Sequence, residues 1–531
     1  MNDQKISAAD LSPLQVRVLL VTAMVSSAAG LVLELLLVAQ ASYLMGDATL
    51  ATGVVVGTFL AAMGLGAWFT EFIAVKGQPL NRLLKALVLV EITLCPLCLL
   101  GPVTLFLLFA IGAPLWIAIV LLTLMVGLLG GMELPLITRM LETQDQLRRA
   151  LARVLALDYF GSLLGALAFP LVLLPWLGLL PTAAVLAFVP VGATLALALV
   201  FPSLRRWRIP VVALLPITGV AAFFIAPLGH RIEDGFYGAR VIERHQTRHQ
   251  RIVMTRRGAD LRLFLDGDLQ FSSLDEYRYH EALVHPAMAA HEAPRHVLLL
   301  GAGDGLALRE ILRWPSVERV DVVELDPVVI RLARQQPQLR RLNHDSLRDP
   351  RVIVHLGDAY AAVRNFRRRF DVVIADFPDP DTLPVARLYS VGFYGAVRER
   401  LHPGGVMVTQ ASAPFLTPRV LASIQAGLQQ AGLETRPYSV PIPTFGPWGF
   451  VMARPSAWSP QFQSIPFPTR WIDSDQLAAL FAFPRDFLPS DSDTVQANRM
   501  TQPVLLDYQR GDRRRRLLLP LAPIPSTPSS S

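Results

Sequence analysis

Cysteine is almost absent from this chain. Two thiols, Cys95 and Cys98, in 531 residues cannot build a disulfide framework, and their apolar setting reads as buried small side chains rather than a redox pair. Charged residues are few, at 17%, while hydrophobic residues reach 52%, and nearly all of that excess lies before about residue 230. The net charge of +7 comes from arginine-rich connectors and a basic tail. No aromatic residues interleave with that charge, so it indicates an anionic membrane surface and no nucleic acid. Met1 to Leu14 is polar and carries no small-residue cleavage site behind a short apolar core, so no removable signal peptide is expected. No metal ligand set is expected either.

What is present before residue 230 is length without charge. Apolar stretches run over Val18 to Met45, Leu50 to Val75, Leu83 to Ile111, Pro114 to Met140, Ala150 to Leu174, Leu179 to Phe201 and Ile209 to Leu228. Each can cross a hydrocarbon core that needs about 20 helical residues. Arg82 and Lys85, then Arg148, Arg149 and Arg153, then Arg205, Arg206 and Arg208 mark every second connector as cytoplasmic. Seven crossings from an inside amino terminus would put the rest of the chain outside, yet Arg231, Arg240 and Arg244 give that flank the same basic signature. Because Pro216 interrupts the last stretch and its length is marginal, that stretch is expected to lie partly in the interface, or an earlier span to be overcounted, leaving the residues after Leu228 in the cytosol. Gly53 with Gly57, and Gly161 with Gly165, have the spacing that lets helices approach closely. Glu34, Glu91, Glu133 and Asp158 read as interhelical hydrogen-bonding or interfacial groups in preference to a cation path.

After His230 the composition becomes that of a soluble domain. Arg251 to Met254, Leu261 to Leu265 and Leu269 to Ser272 read as short strands, with Asp266-Gly267 as a hairpin turn, and Tyr277 to Met288 as a helix. Val297 to Asp326 then reads strand, tight turn, helix, strand. Gly301, Gly303 and Gly305 let a ligand approach the turn's backbone, the helix amino terminus favours electron-rich groups, and Glu324 ends the second strand where it can accept from ribose hydroxyls. The spacing G-x-G-x-G is not the dinucleotide fingerprint G-x-G-x-x-G. Asp304 inside the turn would repel a pyrophosphate and attract a positively charged ligand, unless it only caps the turn. Strands are also expected at Val352 to His355, Phe370 to Ala375 and Gly405 to Gln410, with a helix around Phe393 to Leu401. Asp358 and Asp376 follow two of these, so with Glu324, Asp304 and Asp379 the strand ends offer five carboxylates to one crevice. That set suits a polycationic ligand, and ordinary helix-capping acids are the alternative.

From about Gln250 to Arg454 the ordered segments LFLDGDLQFSSLDEYRYHE, HVLLLGAGDGLALREIL, VDVVELD, VHLGDA, FDVVIADFPDP, LYSVGFYGAVRERLHPGGVMVTQ and PIPTFGPWGFVMA resemble the spermidine/spermine synthases, or polyamine aminopropyltransferases. The apolar front end resembles the family's membrane-embedded bacterial members. The resemblance implies transfer of an aminopropyl group from decarboxylated S-adenosylmethionine, a co-substrate rather than a cofactor, to putrescine or a related polyamine. By motif position Asp376 is the base, Asp379 helps hold the diamine, Glu324 binds ribose, Asp358 with Ala359 the adenine edge, and Asp304 the amino group of the arm. Gln250 falls on the donor side, Tyr279, His280 and Phe445 on the acceptor side. Ala302 stands where glycine is usual, Phe377-Pro378 replaces small hydroxyl residues, and Phe445 replaces a tyrosine, which bears on the acceptor more than the donor.

The expected fold is an α-helical multi-span membrane domain (17–229, after a polar segment 1–16) followed by an α/β part. That part comprises a small β-element with a linking helix (230–290), a doubly wound, Rossmann-like, methyltransferase-type sheet (291–455), an extension (456–510) and a disordered tail from 511. The expected setting is a multi-pass protein of the inner membrane, in contact with the lipid bilayer and compatible with a homo-oligomer. Two other functions fit the same residues: a transporter or sensor whose synthase-like domain only binds polyamines, and an S-adenosylmethionine-dependent methyltransferase. Asp304 and the D-x-x-D-P acids count against the latter, because its donor keeps a carboxylate.

Overall fold

The computed structural model describes residues 11–45, 48–73, 79–142, 147–489 and 495–517. The chain forms two compact units, Met1–Gln250 and Arg251–Ser531. The division falls later than residue 230 because the last helix of the first unit runs from Arg208 to Tyr237, ends on the left-handed Gly238, and leads into strand β1 (Arg240–Gln246).

Among the described residues, seven helices are long and apolar enough to cross a membrane: Pro13–Met45, Ala48–Ile73, Leu80–Ala110, Leu115–Leu141, Arg149–Leu177, Leu179–Val200 and Pro202–Ile225. The expected interruption at Pro216 is absent. Arg208–Tyr237 is one helix of 30 residues with Pro216 and Pro227 inside it, long enough at about 1.5 Å per residue to cross a bilayer. Of the two glycine pairs, only the second lies at a close approach. A Cβ on Gly161 would stand 2.0 Å from the Met24 carbonyl and one on Gly165 2.4 Å from that of Ala28, whereas Gly53 and Gly57 have nothing within 4 Å. Gly127 and Gly131, again four apart, make the other approach, with Cβ positions 2.8 Å and 2.2 Å from the carbonyls of Phe59 and Met63. Spacing alone could not say which pair faces a neighbour. Glu91 is buried and accepts from the Ser26 hydroxyl of another helix at 2.8 Å, as the hydrogen-bonding reading expects. Cys95 and Cys98 are buried free thiols.

In the second unit, β2 (Arg251–Arg257), β3 (Asp260–Leu265) and β4 (Asp268–Ser272) pair antiparallel. Asp266 and Gly267 turn the last two at φ 51° and 96°, the left-handed pair a two-residue hairpin needs. The helix Glu276–Ala289 leads to a seven-stranded sheet. Its parallel core is β7 (Val352–Leu356), β6 (Arg319–Glu324), β5 (His296–Gly301), β8 (Phe370–Asp376) and β9 (Leu401–Gln410) in that spatial order. Antiparallel β11 (Gly446–Arg454) and β10 (Glu434–Ile442) complete the edge. Helices cover both faces of the parallel strands, so their side chains must be apolar on both sides; Val297, Leu298, Leu299 and Leu300 are all fully buried. The chain steps outward from β5 through β6 to β7, then returns to the other side of β5 as β8. That reversal opens a crevice at the carboxyl ends of β5 and β8, where Gly301 lies opposite Asp376.

The extension packs as part of the domain. Glu281 accepts from the backbone N–H groups of Arg470, Trp471 and Ile472 at 2.7, 2.9 and 3.0 Å, and Asn498 donates to the Ala386 carbonyl at 2.7 Å. The disorder expected from 511 is not what the described residues show: the helix Val504–Leu517 passes through the arginine run. Residues 518–531 lie outside the described residues.

Candidate active site

Asp376 closes β8, is half-buried, and accepts from the Tyr279 hydroxyl at 2.5 Å. Burial pushes its carboxyl up to about 6; Asp304 adds to the rise, while His280 and the Tyr279 hydrogen bond oppose it. Tyr279 and His280 sit on the helix Glu276–Ala289. Burial alone would keep the His280 imidazole neutral, but Nδ1–H donates to the Glu276 carboxylate at 2.8 Å, and that contact, with Asp304 and Asp376 behind it, raises its pKa above the ordinary value. Glu276 also takes both terminal nitrogens of Arg309 at 3.0 Å, which with His280 outweighs its burial and holds it ionised. The i, i+4 spacing of Glu276 and His280 within LDEYRYHE was the sequence signal for this buried network.

The glycine turn is shaped by what touches it. A Cβ on Gly301 would lie 2.1 Å from the Asp376 carbonyl, one on Gly303 2.6 Å from a Glu324 oxygen, and one on Gly305 2.7 Å from the Ser346 hydroxyl. Ala302 adopts φ 55°, a left-handed conformation that costs a non-glycine residue about 1 kcal/mol. Glu324 accepts from Gly303 N–H at 3.2 Å and Asp326 N–H at 2.9 Å. Burial still lifts its carboxyl to about 7, the two N–H groups lowering it and Asp326 and Asp304 raising it. Asp304 does cap the turn, accepting from Leu306 N–H at 2.9 Å. It is also buried between His280 and the other acids, and burial raises its pKa. The capping reading of this residue therefore holds.

Asp379 accepts from the Ser412 hydroxyl at 3.0 Å and from Gln509 Nε2 at 3.2 Å. Asp376 and Asp379 are joined by Phe377 and Pro378, whose carbonyls accept from the Tyr389 hydroxyl at 3.1 and 3.0 Å, while Gln410 Nε2 donates to the Phe377 carbonyl at 2.9 Å. The Phe377 side chain packs inward on Tyr389 and Phe393. This unusual residue thus fills the core beneath the loop.

These contacts bring together Tyr279, His280, Asp304, Glu324, Asp376, Asp379 and the three glycines. Asp358 is employed differently: it caps the helix Ala359–Asn365 through Ala361 N–H at 3.0 Å and pairs with Arg387. Ala359 is buried at that helix start. Phe445 lies in the β10–β11 turn with its ring 5.1 Å from Trp448, which lies 6.4 Å from Tyr279. Gln250 is the last residue of the first unit, its carbonyl accepting from Thr247 N–H at 3.0 Å. Gln410, Ser412, Tyr389 and Gln509 hold the 376–379 loop of the candidate site, and sequence reasoning did not single them out. The first three lie within the family-like segments or just beyond one, and Gln509 carried no signal at all.

Residues 276–461 match the family model described as spermine/spermidine synthase domain. Over 522 residues the chain is 39% identical to Polyamine aminopropyltransferase 1 of Streptomyces coelicolor, covering 93% of this chain and 94% of that protein. The chain belongs to the polyamine aminopropyltransferase family. It is 38% identical to Polyamine aminopropyltransferase 1 of Ralstonia nicotianae over 523 residues, covering 95% and 98% of the two chains. A crystal structure of spermidine synthase in complex with the transition-state analogue AdoDATO is 29% identical, covers 46% of this chain and 86% of its own, and superposes with a TM-score of 0.44. Membership makes the protein a transferase of aminopropyl groups, and the methyltransferase alternative drops out.

In this transferase the Tyr279 hydrogen bond favours the ionised form of Asp376. A Tyr279→Phe enzyme should lose about tenfold in turnover, because one hydrogen bond to a charged group is removed. Its kcat/KM should also lose its acid limb at a higher pH than wild type, since the carboxyl pKa rises. An acid limb that stays put or moves to lower pH would exclude Tyr279 as the residue that sets this carboxylate.

Proposed function

We propose that this aminopropyltransferase is membrane-anchored and transfers the aminopropyl group of decarboxylated S-adenosylmethionine to putrescine, giving spermidine and methylthioadenosine. The observation that carries this reading is Asp376: a half-buried carboxylate at the switch point, lifted to about 6 and held by a tyrosine hydroxyl. An alkylamine has a pKa of about 10 and arrives protonated, so it becomes a nucleophile only after a base takes its proton, and a base with its pKa lifted toward neutrality is better matched to that task. The freed nitrogen attacks the methylene carbon beside the sulfonium. The carbon–sulfur bond breaks, its electron pair stays on sulfur, and neutral methylthioadenosine leaves. In this reading Glu324 holds the ribose hydroxyls, Asp304 the ammonium of the aminopropyl arm, Asp358 and Ala359 the adenine edge, and Gln250 the donor. Asp379, Tyr279, His280 and Phe445 receive the acceptor. Incubating the full-length protein with decarboxylated donor and putrescine, and following methylthioadenosine, tests the reaction. Polyamine binding without turnover would favour a sensor instead.

We place the second unit in the cytosol. A nucleoside that carries a sulfonium and an ammonium does not cross a bilayer unaided, so the donor must be met where it is made. Seven crossings then put the amino terminus outside, against the arginine pattern, or one helix lies in the interface. Because Leu505 is fully buried and Gln509 reaches Asp379, a reporter belongs after Ser531 rather than inside the extension. A cytosolic reporter should be active there, and activity of only a periplasmic reporter would overturn the assignment.

A further inference from the structure

The C-terminal helix Val504–Leu517 lies beyond the residues that match the family model, yet it reaches the site. Its seat is built. Asp512, 4% exposed, accepts from Arg419 N–H at 3.0 Å and from Arg419 Nε at 2.5 Å, and Leu505 is fully buried. From that helix Gln509, only 3% exposed, donates Nε2–H to Asp379 Oδ2 at 3.2 Å. The other half of the same amide has no such bond: among the described residues no donor reaches Gln509 Oε1, which is inaccessible to solvent. A buried amide oxygen without a donor is costly and needs an explanation. Swapping the amide's ends would turn that oxygen onto a carboxylate, so the orientation is the chemically sensible one.

We infer that Gln509 is an acceptor-binding residue, its amide oxygen taking a hydrogen bond from an ammonium group of the polyamine held at Asp379. The inference rests on the functional reading above. An alkylammonium has three N–H donors and no acceptor, so it must find more than one oxygen when it leaves water. Asp379 supplies a charged oxygen and Gln509 a neutral one bonded to the same amide carbon as the nitrogen that anchors it. The amide therefore acts twice, holding the carboxylate through its nitrogen and the substrate through its oxygen. The extension thereby helps set which amine is accepted, since a neutral acceptor can be satisfied only by a donor placed at that spot.

The test uses the full-length protein in detergent or lipid discs, with decarboxylated donor and putrescine and then longer diamines as acceptors. Gln509→Leu keeps the volume and the helix. Its acceptor KM should rise about 10- to 100-fold, the loss expected for one hydrogen bond to a charged group, while donor KM and melting temperature stay within error. Gln509→Asn, which retains the amide on a shorter stem, should recover part of the loss for a longer diamine and less for putrescine. An unchanged acceptor KM in Gln509→Leu overturns the inference, as does a rise in both KM values together with a lower melting temperature, which is the signature of a merely structural contact. Should Gln509→Leu fail to fold, the Asn variant decides alone: an acceptor preference identical to wild type overturns the inference. A wild-type enzyme inactive on every diamine would overturn the functional reading itself.

Discussion

An Asp376→Asn enzyme should bind the donor as wild type does and transfer almost nothing. Asparagine keeps the size of the side chain and an oxygen for the Tyr279 hydroxyl, now 2.5 Å from Asp376 Oδ1, so the crevice is not reshaped. What it loses is basicity. The amine keeps its proton, and with it the lone pair is unavailable for attack on the carbon beside sulfur. Removing a general base costs roughly 10²- to 10⁴-fold. Single-turnover methylthioadenosine release measures the loss, and a calorimetric titration with methylthioadenosine confirms that the nucleoside site survives. Turnover near the wild-type level would sink Asp376 as the base.

Glu324→Gln should act on the opposite substrate. Glu324 is fixed by two backbone N–H groups, from Gly303 and Asp326, which leaves the remaining lone pairs of a preoriented carboxylate for ribose. Charge-assisted hydrogen bonds are about twice as strong as neutral ones, so two hydroxyls should together lose about 10²-fold in nucleoside affinity, while acceptor saturation barely changes. The same residue predicts a pH dependence. Its carboxyl is lifted to about 7, and ribose hydroxyls would bind the ionised form. Affinity for methylthioadenosine should therefore rise with pH through that value, by about tenfold between pH 6 and pH 8. Glu324→Gln should abolish this slope. A flat profile in wild type would remove Glu324 from the ribose site.

The seven long apolar helices were legible because a stretch able to cross a hydrocarbon core needs about 20 apolar residues whatever their order, but their contacts were not. Gly53 with Gly57 and Gly161 with Gly165 share one spacing, and only the second pair meets a neighbouring backbone. In the same way, Pro216 looked like a break and is carried within an unbroken helix, because neighbouring helices and local adjustments can absorb a missing N–H in an apolar bundle.

For the catalytic part, the sequence by itself determined the strand–turn–helix–strand unit, the parallel strands buried on both faces, and the acids that end them. All of these come from local pattern and from where the carboxyl ends of strands must point. It could not tell that Asp358 would be taken up by a helix cap and Arg387 while Asp304, also a cap, would still face the other acids. Nor could it tell that the distant Arg309 would join Glu276 beneath His280, or that a helix some 130 residues beyond Asp379 would bring Gln509 to its carboxylate. Those outcomes rest on which buried donor meets which buried acceptor. Each partner is chosen by the need to satisfy polar groups once water is excluded, and that choice is made only when distant segments have packed.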